Sequence, residues 1–376
     1  MDLTYIRRGF FVLILTTACG ITLRTDWIYN TPLETLSAEK LPDTLRSYNV
    51  FDSSSSFKEQ CAEIIQKLPS PKTYDRKDGF QRLPERYLRN RNRMDEGYKC
   101  GKVLRPKIDK ETPWMTLLVK TAPKNFEYRN IIRKTWGGIQ QFRGKIFKAI
   151  FMVGLAPSDD GVQTNLTVEN GKYGDVLQCD FVDAYNALPT KVLSSLRWIV
   201  EENATSRFYS VTDDDCVINI PLLHDIFTKK DKGSVKDSLD DHNTVYCGYK
   251  YEAGAKPYRN NSSKWQMSMD LYSASNFPTY CMGAMWTLSF EIIRSLTCLS
   301  TVTDYADFYV EDVLITGILR EKLGQGESNI KRIWKSHKVE KLRLLTLHTG
   351  KMEKKEGKKA MFEQWETWSK NLTTVK

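Results

Sequence analysis

The chain has 376 residues, of which 41% are apolar, 11% aromatic and 27% charged, proportions that exclude a collagen-like, coiled-coil or wholly disordered chain. The formal net charge is +10, yet residues 331–376 alone carry +8. Basic charge is thus concentrated in the tail, which argues against a nucleic-acid groove along the whole chain.

Residues 9–23 (GFFVLILTTACGITL) hold no charge and lie between Arg7-Arg8 and Arg24. As a helix they would span about 22 Å, somewhat short of a ~30 Å bilayer core. The flanking arginines favour an N-terminus kept in the cytosol and a type II signal anchor, with a cleaved signal peptide as the alternative. The expected organisation is a cytoplasmic tail (1–8), an anchor (9–23), a lumenal stem (24–112), a catalytic domain (113–350) and a basic extension (351–376). Sequons at Asn165, Asn203, Asn260, Asn261 and Asn371 agree with a lumenal body. Of the eight cysteines, seven lie beyond the apolar segment and form no CxxC pair. This speaks against a zinc or thioredoxin-type site, and the odd number leaves at least one thiol unpaired or intermolecular.

The stem region has prolines, a DSSSS run and mixed charge without core periodicity, apart from a local helix around Lys58–Lys67. From Trp114 onward the pattern changes. WMTLLVKTA reads as a strand with a polar end, FEYRNIIRKTWGG as a helix stopped by glycine, and KIFKAIFMVGLA as a second strand. Gln178–Phe181 is a third, LPTKVLSSLRWIVEEN a helix, and RFYSVTDDDCVINI a strand interrupted by aspartates. Strands alternating with helices predict a mostly parallel α/β sheet, with ligands beyond the carboxyl ends of its strands, where Lys120, Thr121 and Asp213–Asp215 fall.

Three adjacent carboxylates between apolar strand residues repel one another and call for a compensating cation. A solvated acidic turn is the ordinary alternative. Glu311-Asp312 enters an apolar run and reads either as a helix cap or as a base that takes a proton from a hydroxyl. Arg129 and Arg133, four apart on one helix face, can grip a phosphate or simply be solvated. GxGxxG and GxxxxGK[ST] are both absent, so the dinucleotide and P-loop readings lack their signatures.

In order along the chain, RNIIRKTWG, YGDVLQCDFVDAYNALPTKVLSSLRW, TDDDCVIN, KWQMSMDLYSASNFPTYCMGAMWTLS and VEDVLITG resemble the motifs of the beta-1,3-galactosyltransferase family. That family includes beta-1,3-N-acetylglucosaminyl- and N-acetylgalactosaminyltransferases. The resemblance covers about residues 113–350. It implies a GT-A type fold and inverting transfer of a hexose from a UDP-sugar, with Mn²⁺ or Mg²⁺, to the 3-hydroxyl of a glycan on glycoprotein or glycolipid. Asp215, Asp213 and His348 would hold the metal. Asp312 would be the base, with Glu311 beside it. Thr121, Arg129, Arg133, Asp183, Lys191 and Asp214 would line the nucleotide-sugar cleft, and Trp265, Tyr280, Gly283 and Trp286 would shape the acceptor end. Departures from the motif are Val211, where the family often has lysine, and Cys216, where it has valine. The expected setting is a Golgi membrane with the catalytic domain lumenal. A homodimer is compatible with this reading, and nucleic acid is not an expected partner. The rivals are a non-catalytic glycan-binding relative and a metal-dependent phosphohydrolase.

Overall fold

A computed structural model of the chain describes residues 57, 61, 64–65, 99–107, 111–156, 160–202, 204, 206–228, 244–260, 263–301, 303, 305, 308–333, 345–349 and 355–370. The apolar segment 9–23 lies outside them, and no helix among the described residues is long and apolar enough to cross a membrane.

The centre is a sheet grown around β1 (Met115–Lys120), whose six residues are all buried. A strand buried on both faces needs mostly apolar residues at consecutive positions, which MTLLVK supplies apart from Thr116, whose hydroxyl is bonded to that of Ser206, and the final lysine. β3 (Lys145–Leu155) and β5 (Phe208–Asp213) flank β1 in parallel, and β4 (Val176–Val182) lies parallel to β3. β2 (Gln141–Phe142) adds an antiparallel edge. On the other side come β10 (Met285–Ser289), antiparallel to β5, then β7 (Val245–Cys247) and β11 (Ile330–Arg332). The full order is β11-β7-β10-β5-β1-β3-β2, with β4 paired to β3.

Alternation along β1 sends Leu118 to one face and Leu117 and Val119 to the other. Leu118 joins a core closed by α3 (Leu188–Glu201) and α5 (Phe290–Thr301). Leu117 and Val119 join a second core closed by α1 (Phe126–Lys134), α4 (Ile220–Thr228) and the C-terminal α6 (Lys355–Ser369). The basic extension is therefore packed on the fold, because Met361 and Trp368 are fully buried against the second core. Between β3 and β4 runs α2 (Asp160–Tyr173), an element the apolar pattern does not announce.

Phe57 and Cys61, inside the stretch read as stem, are helical and buried in the first core, and Cys61 is joined to Cys298 of α5. Among the described residues Cys100–Cys179 and Cys247–Cys281 are also bridged, and Cys216 is a buried free thiol.

Candidate active site

The site is built at the carboxyl ends of β1 and β5. Register places Lys120 directly opposite Asp213. The chain then turns through Asp214 and Asp215 into β6 (Cys216–Ile218), which pairs antiparallel with β12 (Thr346–His348), so that Cys216 faces His348. A ligand atom of Asp213, Asp215, Cys216 and His348 can each be chosen so that all lie within 4.8 Å of one another. His348 Nε2 is 3.2 Å from Asp215 Oδ1. The Thr349 N–H and hydroxyl both donate to the Asp215 carbonyl, fixing the two strands at this point. Two carboxylates supply hard oxygen donors that suit Mn²⁺ or Mg²⁺, and Mn²⁺ also accepts an imidazole, so the residues present fit Mn²⁺ best. Burial raises the Cys216 thiol well above its ordinary range, with Asp213 and Asp215 adding to the effect.

Asp214 points elsewhere. Its Oδ2 accepts from the Thr121 hydroxyl at 2.6 Å and from Asn125 Nδ2 at 2.9 Å. Burial raises its carboxyl to about 6 despite those bonds. Beneath them, Lys191 Nζ donates to the Thr121 carbonyl at 2.6 Å and to Asp183 at 3.0 Å, and Asp183 Oδ2 accepts from the Gly154 N–H. Thr121, Asp183, Lys191 and Asp214 thus form one connected array.

Asp312 caps a π-helical segment, Val313–Leu319, and its Oδ1 accepts from the Val313 N–H at 2.8 Å. Its Oδ2 accepts from the Gly283 N–H at 2.9 Å. Burial first, and then the neighbouring Glu311 charge, lift the Asp312 carboxyl to about 7. Glu311 is buried, and its Oε1 lies 2.5 Å from Lys120 Nζ.

Lys120 was seen only as a polar residue at a strand end, without a role, and it proves to be the link across the site. Its side chain is 3% exposed, and its ammonium contacts Asp213 at 3.0 Å, Glu311 and the Gly283 carbonyl at 3.1 Å. Burial opposes its charge, but Asp213 and Glu311 overcome that and hold it above the ordinary lysine range. Gly283 therefore accepts from Lys120 and donates to Asp312, tying the Asp213–Asp215 carboxylates to the second carboxylate pair. A signal was present in the sequence, since Lys120 is the one charged residue of the strand MTLLVK.

Two expectations need correction. Arg129 is fully buried, and its guanidinium bonds Glu169 bidentately and the carbonyls of Ala122 and Pro123. Arg133 bonds Glu169 and Asp175 and lies over the rings of Phe151 and Tyr173. Their donors are committed to α2 and the start of β4, so they brace α1 and its preceding loop instead of gripping a phosphate. Trp136 of the same motif donates its indole N–H to the Cys216 carbonyl, supporting the strand that follows Asp215. Trp286 is likewise buried in the first core, since strand alternation turns it inward, and it has no surface to offer an acceptor. Trp265 is exposed and Tyr280 half-buried. Of the sequons, Asn165 and Asn260 are exposed; Asn203, Asn261 and Asn371 lie outside the described residues.

The family profile described as Galactosyltransferase matches residues 127–330, more than half of the chain. The chain belongs to the galactosyltransferase family. Among curated relatives, this chain is 31% identical over 207 residues to a Danio rerio lactosylceramide 1,3-N-acetyl-beta-D-glucosaminyltransferase A, covering 54% of this chain and 52% of that one. It is 29% identical over 219 residues to beta-1,3-galactosyltransferase 1 of Mus musculus, covering 58% and 63%. The match therefore spans between about half and two thirds of these relatives' lengths. Among solved structures, a mannosyltransferase from Pyrobaculum calidifontis in complex with GDP-Man and Mn²⁺ has a TM-score of 0.28 and 13% identity over 66% of this chain and 63% of that one, a likeness too slight to bear on this chain.

Proposed function

We propose that the chain is an inverting beta-1,3-glycosyltransferase of GT-A type that moves a hexose (galactose, N-acetylglucosamine or N-acetylgalactosamine) from a UDP-sugar to the 3-hydroxyl of a glycan on glycoprotein or glycolipid. The observation that supports this reading is the Lys120 bridge, which joins Asp213 of the Asp213–Asp215–His348 cluster to Glu311 and, through Gly283, to the separate Asp312 carboxylate. Asp213, Asp215 and His348 would hold a divalent ion, which supplies positive charge to a diphosphate leaving group. Thr121, Asp214 and the Lys191–Asp183 pair would seat the nucleotide-sugar. Asp312, oriented by the Gly283 and Val313 N–H groups, accepts the proton of the incoming hydroxyl. Delivery of that hydroxyl from the side opposite the diphosphate inverts the anomeric carbon in a single displacement.

The relatives' names support the linkage, and neither the family nor the site favours an inactive relative. A Golgi membrane with the catalytic domain lumenal is the proposed setting. Three disulfides and exposed sequon asparagines fit an oxidising compartment.

The test is Asp312→Asn. Transfer should fall by about 10²–10⁴-fold, the usual contribution of a positioned base, with UDP binding retained. The base works only when ionised, so in the parent chain kcat/KM should fall as pH drops below about 7, following the raised Asp312 carboxyl. Retained transfer by the Asn variant would refute this assignment.

A further inference from the structure

Cys216 is a free thiol in β6 that the proposed mechanism does not use. It is fully buried, and a small apolar core position is the ordinary account of such a residue. Its neighbours go beyond that account. β6 and β12 run antiparallel with Cys216 directly opposite His348, and directly opposed residues of an antiparallel pair turn their side chains to the same face. Cys216 Sγ is 4.0 Å from Asp215 Oδ1, the oxygen that His348 Nε2 approaches at 3.2 Å. With Asp213 included, one donor atom from each of the four residues falls within a span of 4.8 Å.

Groups outside the cluster hold these donors in place. The Trp136 indole N–H donates to the Cys216 carbonyl, and Thr349 donates twice to the Asp215 carbonyl, so the backbone is fixed where the ligands leave it. Exposure is graded across the corner: the side chains of His348, Asp213 and Asp215 are 48%, 31% and 24% exposed, and Cys216 is 0% exposed. An ion entering from solvent therefore meets the imidazole and the carboxylates first, with the sulfur at the floor. Donors around one tetrahedral Zn²⁺ stand about 3.3–3.8 Å apart, given bonds of about 2.0–2.3 Å. The separations of 3.2 and 4.0 Å bracket that range.

We propose that Cys216 is a fourth ligand of the Asp213–Asp215–His348 corner and makes it a site for Zn²⁺ and other thiophilic divalent ions, which compete there with Mn²⁺. This rests on reading the corner as the cation site of the transferase. Its oxygen and nitrogen donors alone suit Mn²⁺, whereas a sulfur donor favours softer ions. On binding, the ion takes the place of the thiol proton, which passes to solvent. The family motif has valine at this position, which offers no donor, so the sulfur is a feature of this chain.

The test uses the full-length chain without sugar nucleotide. Co²⁺, a spectroscopic stand-in for Zn²⁺, should give a sulfur-to-cobalt charge-transfer band in the near ultraviolet, and added Zn²⁺ should abolish it. The band should be absent at the same Co²⁺ concentration in Cys216→Ser and Cys216→Ala, and in Asp215→Asn, which removes a ligand and leaves the thiol. Zn²⁺ outranks Mn²⁺ at nitrogen–oxygen sites in general, so a preference for Zn²⁺ decides nothing by itself. What decides is its dependence on the sulfur. Zn²⁺ affinity measured by calorimetry should fall by about tenfold or more in Cys216→Ala, the equivalent of 1.4 kcal/mol, while the Mn²⁺-induced rise in melting temperature remains. No band in the parent chain, or a band that survives in Cys216→Ala, overturns the sulfur ligand and leaves the corner standing as long as the Mn²⁺ rise is seen. If the Cys216 variants do not fold, the parent and Asp215→Asn decide: a band in the parent alone supports the ligand, and a band in both places the sulfur outside the corner. A parent chain whose melting temperature answers to neither Mn²⁺ nor Zn²⁺ overturns the corner as a cation site, and the sulfur ligand with it.

Discussion

Lys120 has almost no exposed surface and three acceptors, so the charges around it must stay balanced for the fold to hold. Removing one partner of a buried ion pair leaves an uncompensated charge, at a cost of about 3–5 kcal/mol. Lys120→Met is expected to lose about that much stability in denaturant unfolding, and adding Glu311→Gln should return part of it. Lys120 also counters the Glu311 and burial effects on Asp312, so the acidic limb of any residual transfer should move to higher pH; an unmoved limb would show that Lys120 does not act on the base. The acidic groups themselves were legible in the sequence, because carboxylates wedged between apolar strand residues need an explanation beyond solvation. The fates of Arg129, Arg133 and Trp286 were not. A pair of guanidinium groups on a helix face looks the same whether it meets a phosphate or Glu169, and an inward strand position looks the same as an acceptor-facing one until the register is known.

Elements with a long apolar run or a clean face, namely β1, β3, α1, α3 and β5, could be read from pattern alone. α2 could not, because it spaces few apolar residues among polar ones and is held by Leu166 and by Glu169's bonds to two arginines. The strands after residue 244 are two to five residues long, too short for periodicity to declare them. One element-level detail carries into the site. The β3–β4 register shifts around Gly154, where an added Cβ would lie 2.7 Å from both the carbonyl oxygen and the ring of Phe181. The Gly154 N–H also holds Asp183, and through it Lys191 and Thr121. Gly154→Ala should therefore cost about 1–3 kcal/mol by overpacking and weaken UDP binding. Gly171, in α2 with nothing near its missing Cβ, provides the contrast. Gly171→Ala should stabilise by roughly 0.5–1 kcal/mol through the helix preference of alanine and leave UDP binding alone. Thermal unfolding of the two variants should shift in opposite directions, and a shared direction would remove the Gly154 contact as the cause.

At the scale of the whole molecule, the two cores on either face of the sheet leave its carboxyl edge as the place where charge collects. Asp213, Asp214, Asp215, Glu311 and Asp312 meet there, with Lys120 and Lys191 as the buried ammonium groups among them. The excess negative charge is concentrated at the Asp213–Asp215–His348 corner, which also joins β6 to β12 and so ties residues more than a hundred positions apart. An ion that binds this corner in the folded chain and not in the unfolded one must stabilise the fold by mass action, about 2.7 kcal/mol at one hundred times its dissociation constant. Added Mn²⁺ should therefore raise the melting temperature of the parent chain in the absence of any sugar nucleotide. Asp215→Asn should abolish that rise, whereas Asp312→Asn, across the Lys120 bridge, should keep it. A rise that survives in Asp215→Asn would place the ion elsewhere, and a rise lost equally in both variants would mean that the two carboxylate groups act as a single site instead of two halves joined by a lysine.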